Sequence, residues 1–321
     1  MSRLGWHLVR LAVAAGLIYL LTSSGIIHWE AVARLFEAWP LTLLAFSLLL
    51  VDFAVTSYRV CVLVRPHGFA MSLGDSLRLA LVGNLFAMVL PVAGGDFARM
   101  FYAARDVKGR RFEVATLLLV DRILGLLGLL LLPLLAIPFN LALIARSRPL
   151  QLILAVAAAG SLAILTGFAV ALSTRARQSR PVVWVTRQFP MGGYSQRLLD
   201  TLQLYRGRAG ALGWSLALGL VAHVLSVFII WLLMAIMSGR ATPAAVTFLA
   251  AIGFTANSIP LTPGGLGVGE AAFNSLFALA GVRGGAEALL GWRLLLLCLV
   301  PPGLALYLGG RRQLITVREH P

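Results

Sequence analysis

Four charged residues lie inside long apolar segments, and residues of this kind can do chemistry. Asp121 and Arg122 are neighbours in a leucine-rich run, while Asp52 and Arg59 lie seven residues apart in another. If these runs cross a membrane, each charge is costly and marks a binding site, an ion pathway or an internal salt bridge. Asp52 and Arg59 share one helical face, which favours either an internal polar seam or an Arg59 side chain extended to the membrane surface.

A second pair of charges follows a break in another apolar stretch. Pro91 and Gly94-Gly95 interrupt it, and Asp96 and Arg99 come directly afterwards. If a helix restarts there, the two charges are one turn apart and can pair. Free N–H groups at a helix start favour an anion, and a nearby arginine strengthens anion binding. Arg99 is therefore a candidate ligand for a lipid phosphate. The alternative is an internal salt bridge. These two charges are also candidate partners for the adjacent carboxylate and guanidinium of the next apolar segment.

The densest signal is the proline- and glycine-rich segment from Asn257 to Glu270. Prolines stop the preceding helix, and glycines let the backbone turn and approach a ligand. Glu270 then begins the next helical limb, where a negative charge is favourable, although it could instead engage a cationic group or a proton. Asn257 could satisfy freed backbone groups. No strand precedes the segment and no Lys-Ser/Thr pair follows, which disfavours a nucleotide phosphate loop. The predicted backbone breaks are Pro260, Pro263, Gly264, Gly265 and Gly267.

The elements that must position these residues are those of an all-α polytopic membrane protein. Of 321 residues, 60% are hydrophobic and 12% are charged, whereas soluble domains carry about 25% charged residues. No polar stretch is long enough for a separate soluble domain, so residues 1–321 are predicted to form a single membrane domain. The two cysteines, Cys61 and Cys298, lack the spacing of a metal site. The sequence predicts no cofactor and no metal.

Segment length separates six predicted spans from two broken regions. The spans are 8–27, 39–64, 113–138, 150–172, 211–238 and 287–308. The broken regions, 79–104 and 244–282, have limbs too short for a hydrocarbon core of ~30 Å. We interpret them as re-entrant helical hairpins, and the alternative is that Pro-Gly only kinks ordinary helices.

The arginines test this topology. With both hairpins re-entrant, one face carries 18 of the 27 Arg and Lys residues and the other carries five. The positive-inside rule then predicts a cell (inner) membrane protein with both termini cytoplasmic, and it explains the net charge of +15 without nucleic acid. The basic loop 173–210 is predicted to include a helix lying at the membrane interface. The hairpins open from opposite faces, as in an inverted repeat, and transporters bind substrate where such broken helices meet.

The second break resembles a known family signature. Residues 262–270, Thr-Pro-Gly-Gly-Leu-Gly-Val-Gly-Glu, resemble that of the lysylphosphatidylglycerol synthase transmembrane family, a flippase-like family. The resemblance covers about residues 40–310. Relatives often have Glu where Asp96 stands and Arg where Gly269 stands. The first half fits the family at Asn84, Pro91, Gly94, Gly95, Asp96, Arg99, Asp121 and Arg122.

The resemblance implies a lipid flippase or translocase that moves a polar or anionic (glyco)phospholipid between leaflets. Arg99 and Arg122 would hold phosphate, while Asp96, Asp121 and Glu270 would balance those charges or contact a cationic part of the head group. The glycine-rich breaks would permit alternating access. The sequence shows no ATPase motif, so transport would be downhill or ion-coupled. It also shows no aminoacyl-transferase domain, so this chain is not expected to synthesise lysylphosphatidylglycerol by itself.

Two alternatives stay open at this point. A membrane-embedded glycosyl or lipid transferase would use Asp96 or Glu270 as a base or metal ligand. A non-catalytic subunit would recruit a lipid-modifying enzyme. The expected partner is a membrane lipid, either a phospholipid or a polyprenyl-linked lipid, with a lipid-modifying enzyme or a second copy of the chain as further candidates.

Overall fold

Helices make up most of the structure, a computed structural model. It describes residues 29–89, 94–107, 109–177, 179, 200–203, 205–237, 242–258, 268–309 and 315–317. The helices are α1 (Trp29–Glu37), α2 (Trp39–Val64), α3 (Leu73–Val89), α4 (Gly94–Arg105), α5 (Arg111–Leu135), α6 (Leu141–Ala145), α7 (Arg148–Leu172), α8 (Thr174–Arg177), α9 (Ala209–Ile236), α10 (Pro243–Asn257), α11 (Val268–Leu279), α12 (Gly285–Cys298) and α13 (Val300–Gly309). Two short strands, β1 (Phe69–Ala70) and β2 (Thr316–Val317), pair antiparallel.

Five helical stretches are long and apolar enough to cross a membrane. They are Trp39–His67, Arg111–Phe139, Arg148–Leu172, Ala209–Ile236 and Gly285–Gly309. Each coincides with a predicted span, and the all-α polytopic membrane class is confirmed. The remaining predicted span, 8–27, lies outside the described residues.

The two broken regions each form a pair of short helices. The four helices contain 17, 12, 15 and 12 residues, which gives lengths of about 18–26 Å at 1.5 Å per residue. Within each pair the helices pack closely. A Cβ on Gly95 of α4 would lie 2.5 Å from the Gly83 carbonyl oxygen of α3, and one on Gly253 of α10 would lie 2.5 Å from the Phe273 ring of α11. The predicted breaks at Pro91, Pro260 and residues 263–267 lie outside the described part of the chain.

By their internal packing, the residues group into two compact units that alternate along the chain. Unit 1 comes from Met1–Val51, Leu81–Ala98 and Leu225–Gly309. Unit 2 comes from Asp52–Ala80, Arg99–Val224 and Gly310–Pro321. Helices α2, α3, α4 and α9 therefore contribute residues to both units, and each unit contains a buried group of charges.

The end of α2 shows how unit 2 is held together. Arg65–His67 form a 3-10 turn after α2, and Gly68 closes it with a φ of 75°. The carbonyl groups at a helix end lack intrahelical partners, and here distant side chains supply them. Tyr205 donates to the Leu63 oxygen at 2.6 Å. Tyr205 is fully buried, so this hydrogen bond is shielded from solvent. Residues 180–199 of the predicted basic loop lie outside the described part of the chain.

Candidate functional site

The first group of charges, here called the Asp121 centre, consists of Arg59, Arg99 and Asp121 of unit 2. Arg59 donates through Nε to Asp121 Oδ1 at 2.8 Å and through Nη2 to Oδ2 at 3.0 Å. Arg99 Nη2 lies 3.9 Å from the same Oδ2. The Asp121 side chain is 4% exposed and that of Arg99 is 21% exposed. The centre therefore brings two guanidinium groups to one buried carboxylate.

Three helices position the Asp121 centre, because each carries a charge in an otherwise apolar stretch. Arg59 lies on α2, Arg99 on α4 and Asp121 on α5. Arg59 is buried at 7% exposure. The structure therefore shows the predicted internal polar contact for Arg59 and not a side chain extended to the membrane surface. Asp52 is buried as well and shares the same face of α2. Arg99 was one of two candidate partners for Asp121, and the structure brings these two residues together.

The other predicted residues of the first half are placed differently. Arg122 follows Asp121 on α5 but is exposed, as expected for adjacent helical residues that point in different directions. Asp96 lies in the first turn of α4 and belongs to unit 1. Asn84 on α3 donates to the Leu296 oxygen at 3.1 Å. The amide of Asn84 thus bonds to α12 close to the break before α13.

The second group of charges, here called the Glu270 centre, consists of Asn257, Glu270 and Arg293 of unit 1. Arg293 Nε lies 2.6 Å from Glu270 Oε1, and Nη2 lies 3.3 Å from Oε2. The same Nη2 donates to Asn257 Oδ1 at 3.1 Å. Asn257 ends α10 and Glu270 lies in the first turn of α11, as the sequence indicated. One guanidinium, one carboxylate and one neutral amide make this centre balanced in charge.

Arg293 is a site residue that spacing along the sequence does not reveal. It lies six residues from Glu287, which is off-register for one helical face, so the sequence alone gives it no partner. The structure instead pairs Arg293 with Glu270, on a different helix. One signal could have found this pair: carboxylates as well as arginines lie inside the apolar segments, which suggests that they neutralise one another.

The glycine before Glu270 makes room for this pair. A Cβ on Gly269 would overlap Asn257 Oδ1 and would lie 2.9 Å from Arg293 Nη2. The space beside residue 269 is thus occupied by the Arg293 guanidinium. Among the described residues, no group of three His, Cys, Asp or Glu side chains could hold a metal ion.

Long apolar helices, two pairs of short helices and charges buried between helices define a polytopic membrane protein with internal polar centres. The sequence model of the family described as the lysylphosphatidylglycerol synthase TM region matches residues 7–302, and the chain belongs to this family. Searches of curated proteins and of solved structures find no match. Family membership supports a role connected with membrane lipids.

Proposed function

We propose that this protein is a flippase-like lipid translocase that moves a polar or anionic phospholipid, with or without a sugar, between the two leaflets. The head-group phosphate binds at the Asp121 centre. The observation that carries the proposal is the charge of this centre, where Arg59 and Arg99 face the single carboxylate of Asp121. A second anion can balance the extra guanidinium, and arginine is well suited to phosphate.

Arg99 is the ligand, because Arg59 already satisfies Asp121. Both oxygens of Asp121 accept short hydrogen bonds from Arg59. The 3.9 Å separation between Arg99 and Asp121 is longer than a hydrogen bond. Arg99 Nε is buried and has no hydrogen-bond partner among the described residues. Arg59 therefore acts as the counter-ion of Asp121, and Arg99 keeps donors for a phosphate.

The Glu270 centre has a different role in this proposal. Arg293 and Glu270 already neutralise each other at 2.6 Å, so an anion gains little there. Glu270 can receive a cationic part of a head group only when Arg293 leaves it. We therefore assign phosphate binding to Arg99, and we assign Glu270 and Arg293 to a neutral pair that opens during transport.

The membrane setting of the proposal follows from sequence. The distribution of arginines supports an inner-membrane location with both termini cytoplasmic. Movement of the lipid is downhill or ion-coupled, since no ATPase motif is present in the sequence. The lipid is the proposed partner, and a lipid-modifying enzyme that makes or uses it is a further one.

The test is lipid exchange in reconstituted vesicles. Wild-type protein in phosphatidylcholine vesicles should accelerate the exchange of an acyl-labelled anionic phospholipid, read by chemical quenching of the outer leaflet. Arg99→Ala should lower the rate by about 100-fold, the order expected when a charge-assisted phosphate contact of about 3 kcal/mol is lost. Arg99→Lys should retain part of the rate, because it keeps the charge but not the fork of donors.

The matched control is Arg105→Ala on the same helix. Arg105 is exposed, lies in the last turn of α4 and pairs with Asp106 at 2.9 Å. Its removal should leave exchange unchanged. Absence of exchange by correctly folded wild-type protein across several lipid classes would overturn the proposal. An Arg99→Ala variant with the wild-type rate would remove Arg99 from the site.

A further inference from the structure

The guanidinium of Arg59 lies against two glycines on different helices. A Cβ on Gly125 of α5 would lie 3.3 Å from both Nη atoms of Arg59, and one on Gly219 of α9 would lie 3.0 Å from Nη1. These distances are tighter than ordinary van der Waals contact between heavy atoms. We call Gly125 and Gly219 the glycine slot. Arg59 thus reaches Asp121 past two helix positions that lack a side chain.

The role of the slot differs from that of the small residues that let two helices pack closely. Glycines in membrane helices commonly allow two backbones to approach each other. At the slot, however, the three atoms nearest to a Cβ on Gly125 all belong to Arg59, as do both atoms within 4 Å of a Cβ on Gly219 outside its own helix backbone, among the described residues. The missing side chains therefore make room for the guanidinium.

A histidine joins the two helices at the same level. His223 lies one turn beyond Gly219 on α9, and its Nε2 donates to the Gly125 oxygen at 2.8 Å. The ring fits because α5 carries another glycine there, as a Cβ on Gly128 would lie 3.2 Å from His223 Cδ2. The hydrogen bond fixes the separation of α5 and α9 where Arg59 passes.

We propose that the glycine slot and His223 are positioning residues for anionic head-group binding, which hold Arg59 in its two-point contact with Asp121. The inference rests on the proposed function. Nη1 is the Arg59 atom nearest to Gly219, and Nη1 and Nη2 are equally near to Gly125, whereas Nε and Nη2 contact Asp121. A methyl group in the slot displaces Nη1 and rotates the Arg59 guanidinium away from Asp121. The carboxylate oxygen that loses its hydrogen bond then binds Arg99, and Arg99 no longer binds the phosphate.

The test compares Gly219→Ala with Gly213→Ala, both on α9. A Cβ on Gly213 has nothing within 4 Å, so the control makes the same backbone change in open space. In phosphatidylcholine vesicles with acyl-labelled phosphatidylglycerol, Gly219→Ala should lower the exchange rate by roughly tenfold, below the ~100-fold cost of a 1 Å misplacement. Gly213→Ala should exchange at the wild-type rate.

A double-mutant cycle with Arg59→Lys shows whether the effect passes through Arg59. Lysine has one ammonium group and no atom at the Nη1 position. Adding Gly219→Ala to Arg59→Lys should therefore lower exchange no further, and it should change unfolding only as much as Gly213→Ala does. Unfolding in detergent supplies the same cycle if Arg59→Lys alone abolishes exchange. His223→Phe should also lower exchange, since it loses the hydrogen bond to α5.

Two results overturn the inference. One is a Gly219→Ala variant that matches Gly213→Ala in both exchange and unfolding. The other is an equal loss caused by Gly219→Ala with arginine or lysine at position 59. Wild-type protein that exchanges no lipid overturns the proposed function instead, while the unfolding cycle still decides whether the slot positions Arg59.

Discussion

Arg59 and Asp121, 62 residues apart in sequence, form a buried two-point ion pair with contacts of 2.8 Å and 3.0 Å. The pair links α2 to α5 within unit 2. Both carboxylate oxygens of Asp121 accept hydrogen bonds from Arg59, so the Arg99 guanidinium stays 3.9 Å away and makes no hydrogen bond to Asp121. The same two residues therefore stabilise the fold and set the charge available to a ligand.

Removal of Arg59 should destabilise the protein strongly. Arg59→Met keeps most of the side-chain volume but removes both hydrogen bonds to the buried Asp121, so that Arg99, 3.9 Å away, is the guanidinium that stays beside the carboxylate. The variant should lower the free energy of unfolding by up to about 3–5 kcal/mol, the cost of breaking a buried ion pair. The double variant Arg59→Met/Asp121→Leu removes both charges and should recover most of that loss. Denaturant unfolding in detergent measures both. A double variant no more stable than Arg59→Met would show that the ion pair does not explain the effect.

Local features of the sequence predict much of this fold. Apolar length predicts five described spans, and the Pro-Gly breaks predict the two pairs of short helices. Charges at new helix starts are predicted as well, since Asp96 and Glu270 both lie in first turns. These features depend only on neighbours along the chain, which a single sequence displays directly.

Partners on other helices are not predictable in the same way. Periodicity shows which face of a helix is polar but not which helix that face meets. Asp52 and Arg59 were correctly placed on one face, yet the pairing of Arg59 with Asp121 depends on how α2 packs against α5. The role of Arg293 is hidden in the sequence for the same reason, since its partner Glu270 lies on a different helix, α11.

Neutralising Glu270 should weaken unit 1. Glu270→Gln removes the carboxylate that lies 2.6 Å from the buried Arg293 guanidinium and should lower the free energy of unfolding by about 3 kcal/mol. Glu287→Gln is the matched control in the first turn of α12 and should change stability by less than about 0.5 kcal/mol. The double variant Glu270→Gln/Arg293→Gln should lose less than the sum of its single variants. Strict additivity would contradict a direct ion pair.

The close packing of α10 on α11 should make Gly253 sensitive to a single methyl group. A Cβ at this position would lie 2.5 Å from Cε2 and 2.7 Å from Cδ2 of Phe273. Phe273 is fully buried, so its ring has little room to move. Gly253→Ala should therefore cost about 1–3 kcal/mol of unfolding free energy through overpacking.

Replacing the Phe273 ring with a leucine side chain tests the origin of that cost. In the Phe273→Leu background, Gly253→Ala should be far less damaging, because the ring atoms that would meet the new methyl group are absent. Thermal unfolding in detergent of the four proteins gives the coupling. An undiminished loss in the leucine background would mean that α10 and α11 do not meet at these two residues.

The hydroxyl of Tyr205 should contribute measurably to unit 2. It is buried and donates to the Leu63 oxygen at 2.6 Å, and burial raises the pKa of Tyr205, so the group stays a protonated donor. Tyr205→Phe leaves that carbonyl without this donor and should lower the free energy of unfolding by about 1–3 kcal/mol. Tyr58→Phe is the control on α2, where the side chain is 38% exposed, and it should stay within about 0.5 kcal/mol of wild type. Equal stability of the two variants would show that the Tyr205 hydroxyl does not hold the end of α2.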